Sequence, residues 1–443
     1  MFHDKLTKLA LRRAQSRVAT PVIIKAKPDR LGNLGELVLP FVEQVRDFLP
    51  RLSHAGDVAM PFTPYPLKFL RRFDMLATTL PREVIFRLGE DSDVELIYSD
   101  EPQFAFFNTV PDEGIFMAPH RLLKEFTFTS TAWTKKLMGA DLAHERGFYG
   151  EGVTVSVCDT GASRVHEQLR RIVFKTTMKQ FRDENGHGSW CTSCVGGDRA
   201  VDDYLSQRSG RRVECEGMAP RCDLLAVKCL GYVIGMGSTS GIIDALDISL
   251  EHGADVVSLS LGGPSEGMTA DEDPYYTVMQ KVVDEGVIPV VAAGNEGPGS
   301  KTVGSPGCMP SVLTVGAYDP ITGKMADFSS RGPTNWGEVK PDVVAPGVNV
   351  NSAIVGVLDT SGDGMFSRYS PISGTSMSCP HVAGLVALMR QAHRERLGQE
   401  LTVVEIKQMM ASLGMEKSNL YGNGAINWGI YEKWLNTQYG VAL

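Results

Sequence analysis

Three residues of this 443-residue chain have the types and settings that hydrolytic chemistry needs. Ser376 lies in Ser373-Gly374-Thr375-Ser376-Met377-Ser378-Cys379-Pro380-His381-Val382-Ala383-Gly384, a small-residue turn running directly into an apolar stretch that predicts a buried helix. A serine at a helix start can act as a nucleophile when a base stands within hydrogen-bond reach and a third group orients that base. Asp159 follows the strand-like run Val153-Thr154-Val155-Ser156-Val157-Cys158 and precedes Thr160-Gly161, and His187 sits between Gly186 and Gly188. Each alone has a plainer reading: the serine as an N-cap, the histidine as a loop residue, the aspartate as a cap on the next helix. All three together, in the order Asp, His, Ser, favour catalysis.

The blocks around these residues resemble those of the subtilisin-like serine proteases. The match rests on Asp159-Thr160-Gly161, Gly186-His187-Gly188 and Gly374-Thr375-Ser376-Met377, with a fourth block, Ala292-Ala293-Gly294-Asn295-Glu296-Gly297-Pro298, between the second and third. It runs from about Met138 to Trp428 and takes in Gly217-Met218-Ala219-Pro220, Ser258-Leu259-Ser260-Leu261-Gly262-Gly263 and Phe328-Ser329-Ser330-Arg331-Gly332-Pro333. The resemblance implies an α/β fold, a parallel sheet flanked by helices, and a serine endopeptidase working through an acyl-enzyme. Ser376 would be the nucleophile, His187 the base and Asp159 its orienting partner, and Asn295 would stabilise the oxyanion with the Ser376 N–H. The chemistry would need no cofactor.

A protease must hold an extended backbone, and two glycine-containing edges suit that task, Gly235-Met236-Gly237 and Ser260-Leu261-Gly262. By resemblance, the second edge and the stretch from Gly294 to Gly297 wall the pocket for the residue before the cut, where Glu296 would either favour a basic or polar side chain or stand as a solvated loop glutamate. Three positions depart from the family pattern: Trp190 where many members have histidine, Ser378 for a common alanine and Ser189 for threonine. None removes a catalytic group. The polar segment from Asp198 to Glu214 lacks the Asn-rich calcium loop of secreted relatives, and its Asp198, Asp202 and Asp203 leave a structural calcium open.

Composition narrows the setting. With 44 Lys and Arg against 52 Asp and Glu the net charge is −8, which argues against a nucleic-acid surface. Hydrophobic residues make up 43% of the chain, ample for a core, and no stretch has the length of a membrane span. Met1 to Thr20 is basic and amphipathic without the continuous apolar core of a secretory signal. Eight cysteines then read as reduced thiols, and a cytoplasmic location is expected, closest to the intracellular members of the family. Cys191-Thr192-Ser193-Cys194 has metal-like spacing but no second ligand pair, so buried small hydrophobes are expected there.

The elements that must position these residues alternate between strand-like and helical runs. Val153 to Cys158, Leu224 to Lys228, Val256 to Leu261, Val287 to Ala292 and Val312 to Val315 predict strands, and Ser240 to Glu251 and Tyr275 to Asp284 predict helices. Asp159, Ser260 and Asn295 then fall at strand carboxyl ends, where open α/β sheets hold ligands. Residues 1–107 predict a separate small α+β domain, with the catalytic domain over 108–443 and the boundary between 105 and 128. In it Val22-Ile23-Ile24 reads as a strand, Val38, Phe41, Val42, Val45, Phe48 and Leu49 share a helical face, Pro81 to Leu88 is a second helix and Val94 to Tyr98 a strand. That order resembles the inhibitory propeptide of subtilisin-like zymogens, an intramolecular inhibitor and chaperone. The tail Glu101-Pro102-Gln103-Phe104-Ala105-Phe106-Phe107 would thread the cleft, with self-cleavage near Phe107-Asn108. A non-catalytic binding protein on the same fold and an esterase or amidase with the same triad are the other classes. A serine-reactive probe separates the first, and a panel of peptides and esters the second.

Overall fold

The computed structural model describes residues 5–16, 19–52, 67–106, 128–178, 182–231, 234–265, 268–359 and 368–443, leaving aside the side chains of residues 16 and 43–52. Seven strands form a wholly parallel sheet in the order Val343–Pro346, Leu313–Tyr318, Ile288–Ala292, Val256–Leu259, Thr154–Asp159, Asp223–Lys228, Val173–Thr176. Its central strands are buried on both faces, which is why they are continuous apolar runs with little alternation. On one face Val155 and Val157 pack with the helices His187–Gly196 and Thr375–Leu397. On the other, Cys158, Val257 and Leu259 pack with the helices Thr239–Glu251 and Tyr275–Asp284.

The expected strands and helices lie where the sequence put them, with one division. The run Val256 to Leu261 splits, its first four residues staying in the large sheet and Leu261–Gly262 turning away to pair elsewhere. The edge strands Val343–Pro346 and Val173–Thr176 escape prediction, the first because proline closes it and the second because it is short and only half-covered.

The amino-terminal residues build a four-stranded antiparallel sheet in the order Lys68–Leu70, Met75–Pro81, Ala19–Ala26, Val94–Ser99. One face carries Val22, Ile24, Leu76 and Ile97 against the helices Lys8–Ser16, Leu31–Leu52 and Arg82–Glu90. The other face presents Ile23, Met75, Ala77 and Tyr98 to the helices Thr239–Glu251 and Tyr275–Asp284, so the small sheet shares a hydrophobic core with the large unit. Around this contact Lys68 pairs with Asp244 at 2.6 Å, and Arg72 with Asp247 at 2.8 Å and Glu285 at 2.9 Å.

Asp100 closes the junction. Its carboxylate accepts from the Ser240 N–H at 2.9 Å and the Ser240 hydroxyl at 2.6 Å, at the start of the helix Thr239–Glu251. Burial nevertheless outweighs these bonds and pushes the carboxyl from 3.8 up to about 6. The docked state therefore holds its proton more tightly than a free chain does, so this contribution is full below about pH 4 and is lost as pH rises through 6. In the full-length Ser376→Ala protein, adding Asp100→Asn should remove that pH dependence. Between pH 4 and 7 the parent should lose on the order of 1 kcal/mol of unfolding free energy relative to the asparagine variant, the half-buried position of the residue tempering the effect. Parallel stability curves for the two proteins would contradict the assignment.

From Asp100 the chain runs directly into the strand Pro102–Ala105, which lies antiparallel between Met236–Ser238 and Leu261–Gly262 as the middle of a three-stranded sheet.

Candidate active site

Asp159 ends the strand Thr154–Asp159 near the middle of the large sheet, and His187 opens the helix His187–Gly196. Their side chains are wholly buried and meet, with His187 Nδ1 2.8 Å from Asp159 Oδ1 and 3.0 Å from Oδ2. The glycines beside His187 have a steric cause. Gly186 has φ +102°, and a Cβ there would stand 1.9 Å from the Val355 carbonyl oxygen; one on Gly188 would stand 2.0 Å from that of Gly161.

A second carboxylate, unforeseen in the sequence, holds this loop. Asp183 Oδ1 accepts from Thr160 Oγ1 and the Gly186 N–H, each at 2.8 Å, and Oδ2 accepts from the Ser189 N–H at 2.8 Å and its hydroxyl at 2.7 Å. Thr160 Oγ1 in turn accepts from the Gly188 N–H at 2.8 Å. Burial raises the Asp183 carboxyl despite these donors. Asp183 thus ties the Asp159 turn to the helix start that carries His187. The only sequence signal was the turn-like run Asp183-Glu184-Asn185-Gly186, which names no partner.

Ser376 is the second residue of the helix Thr375–Leu397 and is wholly buried. Its Oγ donates to the Ser260 carbonyl at 2.9 Å, while Ser260 Oγ donates to the Ser376 carbonyl at 3.0 Å. Cys191, one turn beyond His187, has its sulfur 3.8 Å from His187 Nδ1 and 3.6 Å from the Ser376 carbonyl oxygen, so the helices bearing the histidine and the serine lie side by side. Asn295 follows the strand Ile288–Ala292, and its Oδ1 accepts from the Thr375 N–H at 2.9 Å and hydroxyl at 3.0 Å. Its Nδ2 is buried with no protein partner, a spare donor beside the serine.

The cleft brings five of the expected binding residues onto one peptide segment. Across its two edges Gln103 pairs with Gly237, Phe104 with Met236 and Gly262, and Ala105 with Leu261. The Ala105 N–H donates to the Gly235 carbonyl at 3.0 Å and the Phe106 N–H to the Ser260 carbonyl at 3.3 Å. The Phe106 ring lies on glycines: a Cβ on Gly262 would be 2.6 Å from it and one on Gly304 3.4 Å. Gly304 was not anticipated. Gly294 is buried against Ser330, whereas Glu296 is exposed, its N–H bonded to Ser330 Oγ at 3.0 Å. Phe107 and Asn108, the expected cleavage site, lie outside the described residues.

All eight cysteines are buried, unpaired thiols. Cys191 and Cys194 lie on the helix His187–Gly196, buried as the sequence suggested. Cys191 also stands with Asp159 and His187 in a group whose donor atoms lie within 4.8 Å of one another. Burial raises its thiol well above the usual range, which disfavours a thiolate ligand. No helix among the described residues is long and apolar enough to cross a membrane.

Comparison with known proteins agrees with this geometry. Residues 150–424 match the Subtilase family. The chain is 35% identical over 307 residues to the serine protease AprX of Bacillus subtilis (strain 168), a match covering 63% of this chain and 65% of that relative's length. It is 34% identical over 403 residues to an alkaline protease of Alkalihalobacillus alcalophilus, covering 89% of this chain and 88% of the relative. Against subtilisin Savinase of Lederbergia lenta it is 34% identical over 301 residues, covering 67% of this chain and 97% of the relative. With more than half of its length matched by the family, the chain belongs to the subtilases, the subtilisin-like serine endopeptidases, whose catalysis requires no cofactor.

Proposed function

We propose that this chain is a self-processing peptidase zymogen in which Asp159, His187 and Ser376 form the catalytic triad. Rotation about χ1 turns Ser376 Oγ from the Ser260 carbonyl to His187 Nε2, and the oxygen attacks the scissile carbonyl as the imidazole takes its proton. Asp159, bonded to Nδ1, holds the tautomer and stabilises the imidazolium. The oxyanion is met by Asn295 Nδ2 and the Ser376 N–H at the helix start. Collapse returns the proton to the leaving amine and leaves an acyl-enzyme that water hydrolyses.

One observation carries the reading: the Phe106 N–H and the Ser376 hydroxyl both donate to the Ser260 carbonyl. A peptide held on both edges of the cleft thus places its backbone directly at the serine. Main-chain pairing on both sides favours a peptide substrate over an ester. The match to subtilisin Savinase supports a separable amino-terminal part, since two thirds of this chain accounts for nearly all of that relative. On this reading residues 1–106, one residue short of the 1–107 expected from the sequence, act as intramolecular inhibitor and chaperone, and the remainder as the catalytic domain. Eight buried thiols fit a reducing compartment such as the cytoplasm.

A structural calcium is not supported at the acidic segment. Asp198 is paired with Arg171 at 2.7 Å, and both carboxylate oxygens of Asp202 are engaged, by the Leu205 N–H and by Asn351 Nδ2, each at 2.9 Å.

Asn295→Ala tests the oxyanion role. It should lower kcat about 10²- to 10³-fold with little change in KM, because the lost donor acts where charge develops. An unchanged kcat on peptide substrates would remove Asn295 from the mechanism.

A further inference from the structure

The third residue upstream of Phe106 occupies a pocket whose chemistry the triad does not use. Gln103 is only 4% exposed, and its Nε2 donates to Thr239 Oγ1 at 3.1 Å. The Thr239 hydroxyl already spends its proton on the Glu101 carbonyl, also at 3.1 Å, so toward the pocket it can only accept. A side chain that donates is therefore required there, which an amide does and a carboxylate or an alkyl group does not. Depth is limited as well. A Cβ on Gly263 would stand 3.0 Å from Gln103 Nε2, so the glutamine side chain ends against the Gly263 backbone.

The surroundings are polar. The phenol of buried Tyr275 interacts with Thr239, so the Thr239 hydroxyl sits among buried polar groups. An aliphatic side chain in place of Gln103 would leave Thr239 Oγ1 buried without the donor it has now.

We infer that this pocket is an amide-recognising subsite, through which the enzyme prefers substrates carrying glutamine three residues before the residue whose carbonyl is attacked. The inference rests on the peptidase reading above, with Phe106 as the attacked residue. Fluorogenic peptides Glu-Pro-Xaa-Phe-Ala-Phe-Phe with Xaa as Gln, Glu or Leu, given to the active enzyme obtained from the full chain, test it. The expected kcat/KM is about tenfold higher for Gln than for either of the others. Thr239→Val should bring the Gln-to-Leu ratio close to one, and Thr239→Ser, which keeps the hydroxyl, should preserve it. Leu cut as fast as Gln, or a ratio untouched by Thr239→Val, would overturn the inference while leaving the peptidase reading in place. A protein that cuts none of the three peptides contradicts the peptidase reading, and this inference with it.

Discussion

Ser376→Ala is expected to leave a folded protein whose peptidase activity has fallen about 10⁶-fold. The change removes a single oxygen and one hydrogen bond, that to the Ser260 carbonyl, a loss of about 1 kcal/mol. The reciprocal bond from Ser260 Oγ ends on the Ser376 backbone and survives the substitution, as do the bonds between Asn295 and Thr375. Circular dichroism should therefore be unchanged while turnover disappears; loss of both together would mark a structural serine. His187→Ala should be nearly as damaging, and adding Asp159→Ala to it should cost little more, because the pair at 2.8 Å acts as one unit with the serine. Additive losses in the double variant would break the triad apart.

The second large effect concerns maturation. On incubation the active full-length chain should convert to a shorter form, while Ser376→Ala stays full length. The bond presented to the serine is the one following Phe106, because the Phe106 N–H shares its acceptor with the Ser376 hydroxyl. The expected cut is thus one residue before Phe107-Asn108, inside the span of 105 to 128 read from the sequence. Cutting there frees the strand Pro102–Ala105 at one end only. The face of Ile23, Met75 and Tyr98 stays packed on the helices Thr239–Glu251 and Tyr275–Asp284, and the pairs of Lys68 and Arg72 persist. The released segment should thus remain bound and inhibit mature enzyme when added in trans. Fully active protein still beginning at Met1, with no inhibition by the added segment, would overturn this account and leave residues 1 to 106 with another role.

How much of this was legible in the sequence follows from where each constraint acts. Gly186 and Gly188 announce His187 because neighbouring backbone excludes any side chain on either side, a restriction written at single positions. The central strands were legible because burial on both faces forces continuous apolar runs. Asp183 was missed because its role lies in four donors that only the folded loop assembles. The strand Met75–Pro81 was missed because both of its faces are covered, one by its own helices and the other by the catalytic unit, so no alternation marks it. Likewise nothing local separates Ser260 from the strand before it; the chain leaves the large sheet there to pair with Pro102–Ala105. Of the two readings open for Glu296, pocket residue and solvated loop glutamate, the loop takes the second and leaves the side chain exposed.

The most direct test of the central claim is covalent. Treating the active protein with a fluorophosphonate and mapping the adduct by peptide mass spectrometry should find one modified residue, Ser376, with loss of peptidase activity in proportion to labelling. The Asn295→Ala and Ser376→Ala proteins should label slowly and not at all, respectively. Inactivation accompanied by an adduct on any other residue, or full labelling of Ser376 with peptidase activity intact, would contradict the assignment of Ser376 as the nucleophile.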